Sequence, residues 1–291
     1  MSKPERVIPN QCIGYKSKIT KCSLPALKAV LYSLTIGFSE SPTDREELNF
    51  TYELAENFKA FPTNATTIGD LDIFELLLGC PGLPSFNPMM LLHGEQGLKV
   101  VRPIETDRNY FVQAVLVDVQ DKRKGALIVF KFYSFLEEKL RDLAFVCTMS
   151  IFIRGLGGFG KDSGRRWNEI HNAKQFNPQS QLEVNTQKNQ ALYYRLNSDL
   201  NPLHADPQMA KMGRFDRPIL HGLCFYGMVA RELVKNYLHY NVEQFKKYNA
   251  RFVGHVYPGE TLLIKSSITG NRINFVVSTK ERGKFVMIGS L

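Results

Sequence analysis

The chain has 291 residues, 44% of them hydrophobic and 22% charged. This is ordinary globular composition, enough for one large domain or two of roughly 140 residues, each burying a core without staples. The net charge of +9 comes with no RNP, zinc-finger or P-loop pattern, Met1–Arg6 lacks the apolar core of a signal peptide, and no uninterrupted apolar run nears a membrane span of about 18 residues. Five scattered cysteines (Cys12, Cys22, Cys80, Cys147, Cys224), without a CxxC spacing, indicate neither a zinc site nor a disulfide framework and fit a reducing compartment.

In chain order, Leu24–Ile36 reads as a helix and Thr67–Leu78 as the candidate central helix of a first half. Leu91–Arg102, Tyr110–Gln120, Ala126–Phe135 and Leu143–Arg154 read as strands. Gly155–Gln181 is glycine-rich at its start and polar and turn-forming at Asn177-Pro178-Gln179-Ser180, the composition of a linker. The expected division is 1–155, a linker 156–180, and 181–291. In the second half, Gln190–Asn197 is a short helix. Gly222–Leu238 is a longer one, with Leu223, Tyr226, Val229, Ala230, Leu233 and Val234 at helical spacing. Ala250–Tyr257, Thr261–Thr269, Arg272–Thr279 and Lys284–Ser290 follow as strands, separated by turn signals. A long helix followed by a strand meander predicts an antiparallel sheet wrapped around a central helix, and the first half repeats that pattern.

The halves align with an offset of 162, which sets Tyr194 against Tyr32 and Leu196 against Leu34. In this register Asp199, Asn201 and His204 face Gly37, Ser39 and Pro42. An internal duplication with one chemically silent half is the simplest reading.

The chemistry concentrates in Asp199-Leu200-Asn201-Pro202-Leu203-His204-Ala205-Asp206, followed by Leu220-His221-Gly222. Asn201-Pro202 marks a sharp bend. Across it, Asp199 and His204 can hold one water between them. Gly222, opening the next helix, offers a bare backbone N–H to an oxyanion. Alone, Asp199 is an ordinary turn residue, Asn201 an ordinary residue before proline and His204 an ordinary structural histidine. Together they provide water activation beside oxyanion stabilisation, as addition of water to an activated double bond requires.

At these residues the chain resembles the type-2 enoyl-CoA hydratases, MaoC-like (R)-specific enzymes of the hot-dog fold. It is particularly similar to the hydratase domain of eukaryotic peroxisomal multifunctional enzymes. Leu92-His93-Gly94-Glu95-Gln96, Gly157-Gly158-Phe159-Gly160 and Val256-Tyr257-Pro258-Gly259-Glu260 extend the match from about Ile13 to the C-terminus. The resemblance implies an α+β double hot-dog and hydration of trans-2-enoyl-CoA to the (3R)-3-hydroxyacyl-CoA in fatty-acid β-oxidation. Asp199 and His204 would share the water, Asn201 would orient it, and the Gly222 N–H would bind the enolate oxygen. His221, expected to support the site, joins His93 and Gly94 of the silent, acyl-chain-binding first half as substrate-binding residues. No cofactor or metal is implied, because the thioester already activates the alkene. The implied partners are the acyl-CoA and a second copy of the chain, with no nucleic acid. The basic surface, and Lys161, Arg165 and Arg166 after the glycine loop, suit the phosphates of coenzyme A. Peroxisomal location follows from resemblance, since the terminal Gly289-Ser290-Leu291 is not a clean import signal.

Three other readings remain at this level. His204-x-Asp206 with His221 mimics a two-His-one-carboxylate metal triad. A hot-dog acyl-CoA thioesterase would polarise the same carbonyl and send water to the carbonyl carbon. A non-enzymatic acyl-CoA-binding protein would need none of the motif.

Overall fold

The computed structural model describes residues 3–69, 72–160, 162, 164–168, 170, 176–197 and 199–291. Its frame is a ten-stranded antiparallel sheet. The strands are β1 (Thr20–Ser23), β2 (Leu91–Val100), β3 (Asn109–Asp121), β4 (Gly125–Phe135), β5 (Leu143–Arg154), β6 (Ser180–Asn185), β7 (Lys247–Phe252), β8 (Thr261–Thr269), β9 (Arg272–Thr279) and β10 (Phe285–Ser290). Period-two patterning places them: Tyr110, Val112, Ala114 and Leu116 of β3 are buried while their sequence neighbours are not.

The order β1-β3-β4-β5-β2-β7-β10-β9-β8-β6 is a palindrome once β6 is matched to β1, β8 to β3, β9 to β4, β10 to β5 and β7 to β2. The halves meet at β2 and β7, paired from Glu95–Arg251 to Lys99–Lys247. This is the double hot-dog, two sheets joined edge to edge.

The helices are α1 (Pro9–Cys12), α2 (Ala26–Thr35), α3 (Arg45–Thr51), α4 (Ile73–Gly79), α5 (Gln190–Tyr194), α6 (Pro207–Met212) and α7 (Gly222–Leu238). α7 has 17 residues and buries every position from Cys224 to Arg231, as a helix enclosed by a sheet must. It stops at His239, whose left-handed φ of 46° ends the helical hydrogen bonding. The related helices α2 and α5 touch each other. Tyr32 and Tyr194 meet edge to face at 6.2 Å. Their equivalence and contact put them beside a pseudo-two-fold axis.

The central helix expected at Thr67–Leu78 is not formed. Pro62–Thr67 is instead a 3-10 turn, in which Thr66 Oγ1 donates to the Thr63 carbonyl at 2.8 Å and Thr67 Oγ1 to the Asn64 carbonyl at 2.9 Å. Such local bonds compete with helix extension. Gly69, at φ +91°, then turns the chain away; residues 70–71 of the expected helix lie outside the described residues. α4 starts late, with Asp72 accepting from the Phe74 N–H at 2.7 Å. It packs with α1 on a second core against β3, β4 and β5. The 3-10 turn takes the central place, against β2, β5 and α7.

β7 ends at Phe252 rather than Tyr257, because the Val253 and Gly254 N–H groups both turn to the Val286 carbonyl. β1 and β6, outside the expected strands, are the two sheet edges. Both are short and partly polar, as edges that avoid further pairing are. Among the described residues no helix is long and apolar enough to cross a membrane.

Candidate active site

The segment after α5 is a chain of caps. A 3-10 turn at Arg195–Asn197 continues α5 and leads to Asp199, whose Oδ1 accepts the Asn201 N–H at 3.3 Å. Asn201 Oδ1 accepts the Leu203 N–H at 3.1 Å and caps a second 3-10 turn, Pro202–His204. Asp206 caps α6 through the Gln208 and Met209 N–H groups, at 2.7 and 3.4 Å. Each proline sits where the turn needs no N–H donor. The polar residues that define the motif are thus also the residues that bend the backbone.

The bend carries His204 toward the start of α7. Its Nδ1 lies 2.8 Å from the Ile219 carbonyl. A carbonyl can only accept, so Nδ1 carries the proton and Nε2 keeps a lone pair. The His204 ring stacks on His221 at 3.8 Å and 26°. Ligand atoms of Asp199, His204 and His221 lie within 4.8 Å of one another. Burial lowers the His204 pKa against the opposing effects of the Ile219 bond and the Asp199 charge. Burial, reinforced by His204, pushes His221 far below the ordinary range.

Gly222 is the first residue of α7, where N–H groups have no partner within the helix and the dipole is positive. A Cβ there would meet the Phe252 ring at 3.5 Å, ordinary contact. Leu220 N–H donates to the Val256 carbonyl at 2.7 Å, and Glu260 accepts the Tyr257 N–H at 2.7 Å while pairing with Arg282. The Val256–Glu260 motif therefore braces the entry to α7.

The first half reaches the same place through His93. Its ring packs edge-on to Phe252 at 5.1 Å, and its Nε2 donates to the Glu95 carbonyl at 3.2 Å. Burial lowers its pKa to about 4, although the Asp199 charge pulls upward. Gly94 lies where the β2–β5 register shifts between His93 and Glu95. Asp199, His204, His221, Gly222 and His93 thus converge, whereas the exposed Asn201 forms the rim of the bend.

The metal triad proposed by spacing does not assemble, since the Asp206 carboxylate caps α6. Asp199 stands with the two histidines instead.

At the equivalent place in the first half, the space beside Gly37 is filled. A Cβ on Gly37 would lie 2.5 Å from Arg231 Nη1, and Gly37 sits at φ +91°. Ser39 donates its N–H to Glu47 at 2.6 Å, and Glu47 also holds Lys235 and Tyr240. Phe38 packs on Phe50 at 4.7 Å and on Phe61 at 5.1 Å. A cavity of about 350 Å³ remains, but Glu40, Asp44, Glu183 and Glu232 line it, which suits no alkyl chain.

The glycine loop is not a free linker. Gly158 and Gly160 donate to Asp121 at 3.0 and 2.8 Å, bonds that hold its carboxyl below the usual range. Lys122 pairs with Asp162, and Arg165 stacks over Trp167 at 3.8 Å; Lys161 lies outside the described residues. Three residues at the site were not among the expected site residues: Ile219, Phe252 and Tyr194, the last having served only to align the two halves. Ile219 contributes a backbone carbonyl, which no residue type announces, and Phe252 carried no signal beyond its place in the expected strand Ala250–Tyr257.

Residues 24–155 match the family described as the MFE-2 hydratase 2 N-terminal domain, and 169–287 match the MaoC-like domain. The chain is 35% identical to a probable enoyl-CoA hydratase 2 of Dictyostelium discoideum, covering 94% of this chain and 92% of that protein. It is 36% identical to the mouse peroxisomal multifunctional enzyme type 2, covering 94% of this chain but 37% of that larger protein. The solved MaoC-like dehydratase of Phytophthora capsici superposes with a TM-score of 0.86 at 29% identity, covering 98% of this chain and 96% of that one. A palindromic double sheet, an Asp–His–His cluster at the start of its central helix and these matches together place the chain in the MaoC-like type-2 enoyl-CoA hydratase family.

Proposed function

We propose that the chain adds water reversibly to trans-2-enoyl-CoA and gives (3R)-3-hydroxyacyl-CoA, in peroxisomal β-oxidation. The observation that carries this reading is the gathering of Asp199 and the His204 Nε2 lone pair beside the N-terminus of α7. A water held by Asp199 and His204 loses a proton to that pair as its oxygen bonds to the β-carbon. The alkene π electrons move onto the thioester carbonyl, and the enolate oxygen takes the Gly222 N–H. The pair, or the same water, returns a proton to the α-carbon on the same face, so the sum is one water added. The two proton transfers are assigned to the Asp199–His204 pair together and not to either residue alone. Asn201, on the rim of the bend with its oxygen accepting the Leu203 N–H, is assigned to orienting the incoming water. The reaction calls for no cofactor, since the thioester polarises the alkene.

In this reading residues 181–291 carry the chemistry, 156–180 connect, and 1–155 bind the acyl chain. His93 and Gly94 line the thioester end, and the buried His221 ring backs it from behind His204. The acyl tail runs toward the first half past His93, because Gly37 faces Arg231 rather than open space. The acting unit is a homodimer, and its partner molecule is the acyl-CoA rather than nucleic acid.

The test is to incubate the purified chain with decenoyl-CoA and follow enoyl-thioester absorbance together with free thiol. Absorbance loss without thiol release supports hydration. Release of free CoA, the thioesterase outcome, refutes it.

A further inference from the structure

His221 stands at the N-cap position of α7, yet its side chain makes no capping bond. Its ring turns inward instead, 1% exposed. Tyr194 covers one side at 5.0 Å and His204 stacks at 3.8 Å. Nε2 lies 3.2 Å from the Asp199 backbone carbonyl, so Nε2 carries the ring proton and donates it. Nδ1 is buried with no partner among the described residues. A buried aromatic amino acid without a polar atom would fill this space at lower desolvation cost.

What distinguishes histidine here is that one ring does two things. Its face is a floor for His204, and its edge N–H ties down the backbone of Asp199. The same short stretch supplies the Ile219 carbonyl that fixes the His204 tautomer and the Gly222 N–H at the start of α7. Ile219–Gly222 therefore sets the position of both members of the Asp199–His204 pair.

We propose that His221 is a positioning residue for hydration: its ring holds His204 with Nε2 facing the water, and its N–H fixes the Asp199 backbone at the distance the shared water requires. This rests on the Asp199–His204 reading and deepens it. Burial keeps His221 neutral across the working range. A proton gained by His204 therefore stays on His204 and does not pass to His221.

The experiment compares His221→Ala, His221→Phe and His221→Gln in the full chain, with His204→Ala alongside. Phe keeps the floor without the N–H, and Gln keeps an N–H at similar reach without the floor. His221→Ala should lower kcat by about tenfold to a hundredfold, with KM nearly unchanged, as expected for misplaced reacting groups. It also opens the His204 ring to water, so the acid limb of the pH profile should move up toward the ordinary histidine range. His221→Phe should keep the limb in place and recover part of kcat. His221→Gln should recover part of kcat with the limb shifted as in His221→Ala. Wild-type kcat and pH limb in a folded His221→Ala variant overturn the proposal. So does a loss of rate that matches the loss of folded protein with the limb unmoved, which is a structural role only. If His204→Ala itself stays active, the underlying Asp199–His204 reading fails. If His204→Ala is inactive and His221→Ala is normal, only the positioning role falls.

Discussion

Asn197 Nδ2 donates to Thr35 Oγ1 at 2.9 Å across a sequence separation of 162, the offset that also relates Tyr194 to Tyr32. Residues related by a two-fold axis touch each other only close to that axis. Thr35 gathers more: its carbonyl accepts from Gln190 Nε2 and from Cys224 Sγ. One first-half residue thus holds α5, the segment leading to Asp199, and α7. Asn197→Ala should destabilise the chain by about 1–2 kcal/mol, because it leaves a buried hydroxyl without its donor. Denaturant unfolding checks this. An unchanged midpoint would show that the contact contributes nothing.

Asp199→Asn and His204→Ala should each lower turnover by about 10²–10⁴-fold, the range for loss of a group that moves a proton. Neither should greatly lower the thermal midpoint. Asn201→Ala should cost less in turnover, since it loses orientation only. Steady-state kinetics with thermal melts separates these outcomes.

Histidine burial gives a pH prediction with a definite sign. The folded pKa values of His93, His204, His221 and His255 all lie below the ordinary value, burial being the first cause in each. The unfolded chain then binds more protons than the folded one below about pH 6.5. Their contribution should be complete above that pH and decline as pH falls toward 4, the range set by His93. His93→Phe should flatten the decline of the melting temperature between pH 6.5 and 4. An identical slope in the variant would remove His93 from the effect.

Gly222, at the proposed active site, and Gly37, at its first-half equivalent, should respond differently to a methyl group. Gly37→Ala forces a side chain into a left-handed backbone and onto Arg231, and should cost about 1–3 kcal/mol. Gly222→Ala meets Phe252 at ordinary contact distance and should fold normally. Comparing their melting temperatures tests whether the first-half site is truly filled. Calorimetry with a non-hydratable acyl-CoA should likewise find one site per chain, whereas two equivalent sites would contradict that filling.

Much of this was legible in the residues. β5, β8, β9 and α7 fall where period and turn signals put them, because each buries a regular face between clear breakers. Thr67–Leu78 misled because its apolar spacing belongs partly to α4, while threonine hydroxyls upstream bond their own backbone. β1 and β6 are edges with little to bury, so they carry little pattern. At the site, Asp199 and His204 stood out by type and spacing. The Ile219 carbonyl, the stacking on His221 and the bracing of Leu220 by Val256 exist only once the chain has folded. The guanidinium beside Gly37 could not be read from an alignment of halves that showed only what the first half lacks.

Asp199 and His204 are proposed to add water to one face of an enoyl thioester. Chiral analysis of the product from decenoyl-CoA, for the wild type and for an Asp199→Asn/His204→Ala double variant, tests it most directly. The wild type should give (3R)-3-hydroxydecanoyl-CoA, and the double variant no product above background. A (3S) product, or (3R) product from the double variant at near wild-type rate, would contradict it.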